Sequence, residues 1–203
     1  MLNDVVMEIR LATPNDAAGI AAVYGPYVTD TAISFETDVP SAGEMAERLR
    51  LRMPLHPWLV LEETWNDGFT RDVVGYAYAG PFAGRAAYRW SVETSVYLAG
   101  SACGAGWGRV LYQALLDLLS EQGYRQALGG IALPNEPSVR LHERCGFTPA
   151  GTYRAVGWKL GRWHDVGWWQ LPLGEPGAEP GEVVPLDELD PVVVTRAIDP
   201  GRR

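Results

Sequence analysis

Glu93 stands at the centre of the alternating run Trp90, Val92, Thr94 and Val96. A carboxylate set among apolar and hydroxyl-bearing neighbours in a strand is costly unless a partner or a reaction uses it. Glu93 is therefore either a general base or a solvent-facing residue of an edge strand. Further along, Cys103-Gly104-Ala105-Gly106-Trp107-Gly108 lies between that run and a helical pattern. Glycines at a strand-to-helix turn expose successive backbone N–H groups beside the positive end of the helix dipole. Such a turn holds a pyrophosphate with few cations, and it also serves as an ordinary tight connection. Two nucleotide motifs are excluded. A Walker A loop would end in Gly-Lys and then Ser or Thr, but Gly108 is followed by Arg109 and Val110. A dinucleotide fingerprint counted from Gly104 needs a glycine where Arg109 stands, and an acidic residue ending the next strand, which Leu128 to Leu133 lacks.

Tyr112 falls one helical turn after the glycine loop and by pattern reads as a half-buried aromatic beside Leu111 and Leu115. His142 by itself reads as a surface or structural histidine. His164, in the run Trp163-His164-Asp165, is expected to order a strand entrance through hydrogen bonds. Cys103 and Cys145 lack a histidine at any signature spacing, so they read as small loop and core residues. His142, Cys145, His164 and Asp165 have metal-ligand chemistry but no zinc-site spacing, and no metal is expected.

These residues need elements to position them. Val6 to Ala12 reads as a strand, followed by a helix with Thr13 as N-cap, Pro14 in the first turn and Asp16 at N3. Gly25 to Pro40 reads as a loop. A capping box at Ser41 and Glu44 starts a second helix, which Pro54 ends. Trp58 to Glu63 and Val73 to Ala79 read as a hairpin joined by Asn66-Asp67-Gly68, and Tyr88 to Leu98 as a third strand. Val110, Leu111, Ala114, Leu115, Leu118 and Leu119 recur at helical spacing up to a Gly123 cap. Gln126 to Leu133 is a buried strand, Pro137 to Cys145 a short helix closed by Gly146, and Phe147 to Tyr153 and Val166 to Leu173 the last strands. From Gly174 onward Pro, Gly, Glu and Asp dominate. Residues 174–203 are expected to form an extended arm in which Val192 to Val194 add an edge strand or dock on a partner.

With 203 residues, 47% hydrophobic and 21% charged, the chain can bury one sizeable core and is not disordered. Two cysteines do not make a disulfide scaffold, and no uninterrupted apolar stretch reaches membrane-spanning length, so a cytoplasmic protein is expected. A net charge of −8 argues against nucleic-acid and anionic-membrane partners, so an anionic ligand must be held locally.

In their order along the chain the motifs resemble one family. They are Ser34-Phe35, Arg50 to Arg52, Trp58-Leu59-Val60, Gly75 to Pro81, Glu93, Val96-Tyr97, Gly106-x-Gly108 and Leu111-Tyr112. Leu133-Pro134-Asn135, Pro137 to Arg140, His142-Glu143, Gly146 and Trp163 to Gly167 complete the series. The stretch from Ile9 to Leu173 resembles the phosphinothricin and methionine sulfoximine acetyltransferase branch of the GNAT superfamily. That resemblance implies an α/β (α+β) domain over 1–173, with a mixed sheet splayed between its fourth and fifth strands and flanking helices.

The resemblance also implies acetyl-CoA as co-substrate, without a metal, and transfer of its acetyl group to the α-amine of a small amino-acid-like acceptor by direct attack. Ser95, Val96, Tyr97 and Leu98 would hold the pantetheine, Cys103 to Gly108 the pyrophosphate, and Asn135 and Ser138 would support the coenzyme. Glu93 would be the base, Tyr112 the acid, and His142 would lie near the substrate amine. Phe35 and Arg85 would contact the acceptor, as an apolar wall and as a guanidinium suited to a carboxylate or phosphinate. A homodimer is expected. The chain departs from the family at Cys103-Gly104-Ala105, where basic residues are usual, and at Ala83, where a lysine is usual. Weak coenzyme binding is the expected result, and a non-catalytic acetyl-CoA-binding module is the alternative function.

Overall fold

The computed structural model describes residues 5–65, 70–175, 177, 179–199 and 201. Its strands are β1 (Val6–Leu11), β2 (Trp58–Thr64), β3 (Arg71–Pro81), β4 (Ser91–Leu98), β5 (Gln126–Leu133), β6 (Thr148–Lys159) and β7 (Arg162–Pro172). Its helices are α1 (Ala17–Thr29), α2 (Ala42–Arg52), α3 (Trp107–Glu121), α4 (Glu136–Arg144) and α5 (Pro191–Ile198). The strands form one sheet in the order β1-β2-β3-β4-β5-β7-β6. Every neighbouring pair is antiparallel except β4 and β5, which run parallel.

Strand alternation sorts β2 between two cores. Trp58 and Val60 join Ile20, Val23, Met45, Leu49 and Tyr76 beneath α1 and α2. Leu59 and Leu61 join Leu111, Leu115, Leu118, Val92, Ala127 and Ile131 beneath α3 on the opposite face. The Ser41 capping box is present: the Ser41 hydroxyl accepts the Glu44 N–H at 3.2 Å, and the Glu44 carboxylate accepts the Ser41 N–H at 2.8 Å. Gly123, at φ +92°, closes α3.

The parallel pair is short. β4 and β5 are in register only at Ser91–Gln126, Val92–Ala127 and Glu93–Leu128, after which the strands part. Where they part, the Thr94 hydroxyl faces the Leu128 carbonyl at 3.3 Å. The open gap beyond is lined by Val96, Tyr97, Gly130, Ile131 and Ala132. This is the expected splay between strands 4 and 5.

Four expectations need correction. Gly25 to Pro40 is not all loop, because α1 runs through Gly25 and Pro26 to Thr29. Proline inside a helix forfeits a hydrogen bond, and here the burial of Tyr24 and Val28 on either side outweighs that loss. The stretch beginning at Tyr88 turns as a short 3-10 helix over Ala86–Tyr88, so β4 begins only at Ser91. The last two strands extend past Tyr153 and begin before Val166, forming a long hairpin that turns at Leu160 and Gly161, with φ +50° and +74°.

The segment after Gly174 folds back on the domain, and Val192 to Val194 are helical rather than an edge strand. Asp190 caps α5 by accepting the Val192 N–H at 2.8 Å, and Pro191 supplies the first turn. The Val184 N–H bonds the Gln122 carbonyl and the Leu186 N–H the Pro54 carbonyl, both at 2.8 Å. The Trp90 indole donates to the Gly181 carbonyl at 2.7 Å, while Leu186 and Ala197 are buried. Residues 66–69, which contain the expected Asn66-Asp67-Gly68 turn, lie outside the described residues, although β2 and β3 pair as the hairpin requires. No helix among the described residues is long and apolar enough to cross a membrane.

Candidate active site

Glu93 is the last residue of β4 paired with β5, so its carboxylate sits where the sheet begins to open. It is half-buried, and no hydrogen bond or ion pair holds it among the described residues. Burial raises its pKa above the usual carboxylate range. It shares a face of β4 with Ser95 and Tyr97, on the side of α1 and α2. Two cavities meet there, both lined by Tyr24, Tyr78, Glu93 and Ser95. One, of about 470 Å³, runs beneath α2 past Arg48, Arg52 and Trp58 to Gly80. The other, of about 480 Å³, is walled by Phe35, Val156, Val166 and Trp168. Phe35 is fixed against Gly157, where an added Cβ would come within 2.2 Å of its ring.

On the opposite face, beneath α3, Thr94, Tyr112 and His142 form a buried chain. The Tyr112 hydroxyl lies 2.7 Å from Thr94 Oγ1 and 3.1 Å from His142 Nε2. His142 Nδ1 is 2.8 Å from the Ser138 carbonyl. A carbonyl only accepts, so Nδ1 carries the proton and Nε2 accepts from Tyr112. Burial lowers the His142 pKa and raises that of Tyr112, so both groups are held neutral. Tyr112 is fully buried and does not reach the gap; Thr94 and His142 do. Gly129 makes room for this chain, since a Cβ there would stand 2.5 Å from His142 Nε2.

The glycine loop opens α3. Gly104 and Gly106 have φ of +82° and +90°, a backbone state that favours glycine, and Gly106 is the N-cap of α3. A cavity of about 850 Å³ lies against Leu98, Cys103, Gly104, Gly106 and Gly108. Its other wall corrects the expectation of a cation-poor site, because Arg109, Arg140 and Arg144 line the same space. Arg140 and Arg144 are one turn apart on α4, a spacing that in sequence resembles any solvated helix face.

Other predicted residues fall in several places. Asn135 caps α4 by accepting the Ser138 N–H at 3.2 Å, and both residues line the gap with Val96 and Tyr97. The Leu98 carbonyl accepts the Tyr27 hydroxyl at 2.7 Å. Ala105 and Trp107 do not line the loop cavity, and Trp107 packs against the α3 core. Ser95 lines the cavities on the Glu93 face as well as the gap. Arg85 is exposed and lines none of these spaces. His164 Nε2 lies 3.0 Å from the Lys159 carbonyl at the hairpin turn, the ordering role expected of it. Asp165 accepts the Ala155 N–H at 2.8 Å, fixing a bulge where Ala155 has φ +47°. Among the described residues no three His, Cys, Asp or Glu side chains gather as a metal site.

A split parallel pair with a glycine loop at the next helix is matched by a family model described as an acetyltransferase (GNAT) domain, over residues 9–168. The chain belongs to the GNAT acetyltransferases. The acetyltransferase is 40% identical over 183 residues to phosphinothricin N-acetyltransferase of Streptomyces viridochromogenes, covering 90% of this chain and 96% of that one. It is 35% identical over 173 residues to the L-methionine sulfoximine/L-methionine sulfone acetyltransferase of Salmonella typhimurium, with 85% and 98% covered. A crystal structure of a GNAT superfamily phosphinothricin acetyltransferase from Sinorhizobium meliloti, in complex with acetyl-CoA, has a TM-score of 0.80 at 35% identity. It covers 90% of the acetyltransferase described here and 97% of its own chain.

The acetyltransferase carries further cavity-lining residues to which its sequence gave no site role: Arg48 and Arg52 on α2, Arg140 and Arg144 on α4, and Thr94. A signal was present for Thr94, as the hydroxyl beside Glu93 in an otherwise apolar run, and for Arg52 and Arg140, which fall within matched motifs.

Proposed function

We propose that this acetyltransferase moves the acetyl group of acetyl-CoA to the α-amine of a small amino-acid-like acceptor, of the kind represented by phosphinothricin and methionine sulfoximine. The observation that carries this reading is Glu93: half-buried, without a partner among the described residues, and placed where β4 and β5 part. The coenzyme fits the residues present. The loop cavity combines glycine N–H groups at a helix N-terminus with three guanidinium groups, a donor set suited to phosphates. The gap offers the open edges of two strands to a chain of amides. When bound, acetyl-CoA supplies an acetyl group activated as a thioester.

Glu93 takes the proton from the acceptor's ammonium, and its raised pKa suits it to do so. Tyr112 keeps its proton because burial opposes ionisation. Its hydroxyl therefore stays a donor that holds Thr94 and His142 at the gap it does not reach itself, and Thr94 hydrogen-bonds the departing thiolate, which takes up the second proton of the acceptor's amine. Base and hydrogen-bond donor thus stand on opposite faces of the sheet at the point where it opens, with room for the reacting carbonyl between them. Phe35, Val156 and Trp168 form the wall for the acceptor's side chain. The test is release of free thiol from acetyl-CoA by the purified protein. Thiol should appear with amino-acid acceptors such as phosphinothricin, methionine sulfoximine and methionine sulfone, and not without one. Absence of release across that panel refutes the reading.

A further inference from the structure

We propose that Arg52, at the end of α2, binds the α-carboxylate of the acceptor. This rests on the function proposed above and names the group that orients the substrate in that same site.

The cavity beneath α2 contains two guanidinium groups of unequal status. The charge of Arg48 is paired by Glu36, with a bond from each Nη to a different carboxylate oxygen at 2.8 Å. Arg52 has no ion pair or side-chain hydrogen bond among the described residues. Its Nη1 lies 3.5 Å from the point where a Cβ on Gly80 would stand. Gly80 is the residue directly opposite Glu93 in the β3–β4 ladder, and directly opposed residues place their Cβ atoms on one face, roughly 5 Å apart. The missing side chain of Gly80 therefore lets the guanidinium lie on the sheet beside the base.

One uncompensated cation and one uncompensated carboxylate in one cavity complement a zwitterion. The ammonium belongs at Glu93 and an oxyanion at Arg52. The short separation across the ladder selects an oxyanion attached next to the amine rather than one at the end of a side chain. Trp58 closes the floor of the same cavity and is 4% exposed. The other cavity is the less suitable place for an anion, since Glu36 lines it and its remaining wall is largely apolar. His56 beside Arg52 has its pKa lowered by burial and the Arg52 charge to about 4, so it adds no competing cation at neutral pH, and burial keeps Tyr24, Tyr76 and Tyr78 of the same cavity neutral.

The experiment compares wild type, Arg52→Gln and Arg52→Lys with methionine sulfone, its α-carboxamide, and phosphinothricin. For both amino acids, Arg52→Gln should raise the acceptor KM roughly ten- to a hundredfold, as expected for a lost charge-assisted hydrogen bond. The KM for acetyl-CoA and kcat should change less than about twofold. Arg52→Lys should recover much of the loss, and the carboxamide should be a poor acceptor that is indifferent to the substitution. Equal effects on acid and amide, an effect confined to phosphinothricin, or no effect would overturn the proposal. If wild type acetylates none of these acceptors, the functional reading falls by itself, and calorimetric titration of methionine sulfone then decides the subsite. Binding lost in Arg52→Gln supports it, whereas equal binding or none refutes it.

Discussion

Replacing Gly129 with alanine places a methyl group 2.5 Å from His142 Nε2 and 2.6 Å from its Cδ2. Ordinary contact begins near 3.5 Å, so the imidazole must retreat by about 1 Å. The Tyr112 hydroxyl lies 3.6 Å from the same point, and the retreat stretches the 3.1 Å bond between Tyr112 and His142 past hydrogen-bonding range. Overpacking of this kind costs roughly 1–3 kcal/mol, which for a domain of this size lowers Tm by about 2–12 °C. Because the displaced ring belongs to the chain proposed to hold the Thr94 hydroxyl against the leaving group, kcat should fall by about tenfold or more, with the KM for acetyl-CoA little changed. Thermal unfolding and steady-state kinetics on Gly129→Ala, His142→Ala and the double variant form a closed cycle. In the His142→Ala background the Gly129→Ala cost should nearly vanish. The same penalty in both backgrounds, or none in either, would show that His142 does not lean on Gly129.

Glu93→Gln should lower turnover by roughly 100-fold or more, and the wild-type rate should fall at acid pH with a midpoint above the ordinary carboxylate value of about 4.3. The sign for stability is opposite to that of an ion-paired carboxylate. Burial makes the folded state hold the Glu93 proton more tightly than the unfolded state, so wild type loses stability as pH rises from the ordinary range through the raised pKa. Glu93→Gln should therefore be the more stable protein at neutral pH and match wild type below about pH 4, as read by denaturant titrations. Arg144→Gln and Arg140→Gln should each weaken acetyl-CoA binding by roughly tenfold at low salt, while arginine introduced at position 103 adds little. Calorimetry showing the reverse would place the phosphates elsewhere. We expect a homodimer, in which the apolar residues exposed on the β6–β7 hairpin, Tyr153, Val156, Trp158, Leu160 and Trp163, become covered. Light scattering should give twice the chain mass for wild type and a lower mass for Trp158→Glu with Trp163→Glu; a monomeric wild type refutes this.

The parts of this fold that sequence revealed are those where one local rule acts alone. Ser41 and Glu44 announce α2 because a capping box needs only its own turn, and Glu93 stands out because alternation makes a carboxylate conspicuous. Local rules misled where tertiary burial overrode them. Gly25-Pro26 reads as a break, yet Tyr24 and Val28 gain more from the core than the proline costs. The valines of 192–194 suggest a strand, although Asp190 and Pro191 beside them are the stronger signal for a helix start. Sequence assigned no site role to Arg52, Arg140 and Arg144 because helical arginines usually face water. What distinguishes them is the cavity opposite, which only the packing of α2 and α4 creates. Tyr112 was legible as a position but not as an environment: its full burial behind Thr94 and His142 depends on Gly129, a residue on another strand.

The parting of β4 from β5 has a consequence for how the protein survives without its coenzyme. Sheets normally leave unpaired edges at their rims, where charges, prolines or bulges blunt them. Here two further edges, residues 94–98 and 129–133, face each other inside the molecule, and neither carries a charged side chain or a proline. In the proposed binding mode an extended ligand rich in amides would fill that slot as an additional strand does. Its departure leaves two templates for another chain's backbone, so the ligand also acts as a guard against association, and light scattering on slow heating should rise earlier without coenzyme than with it.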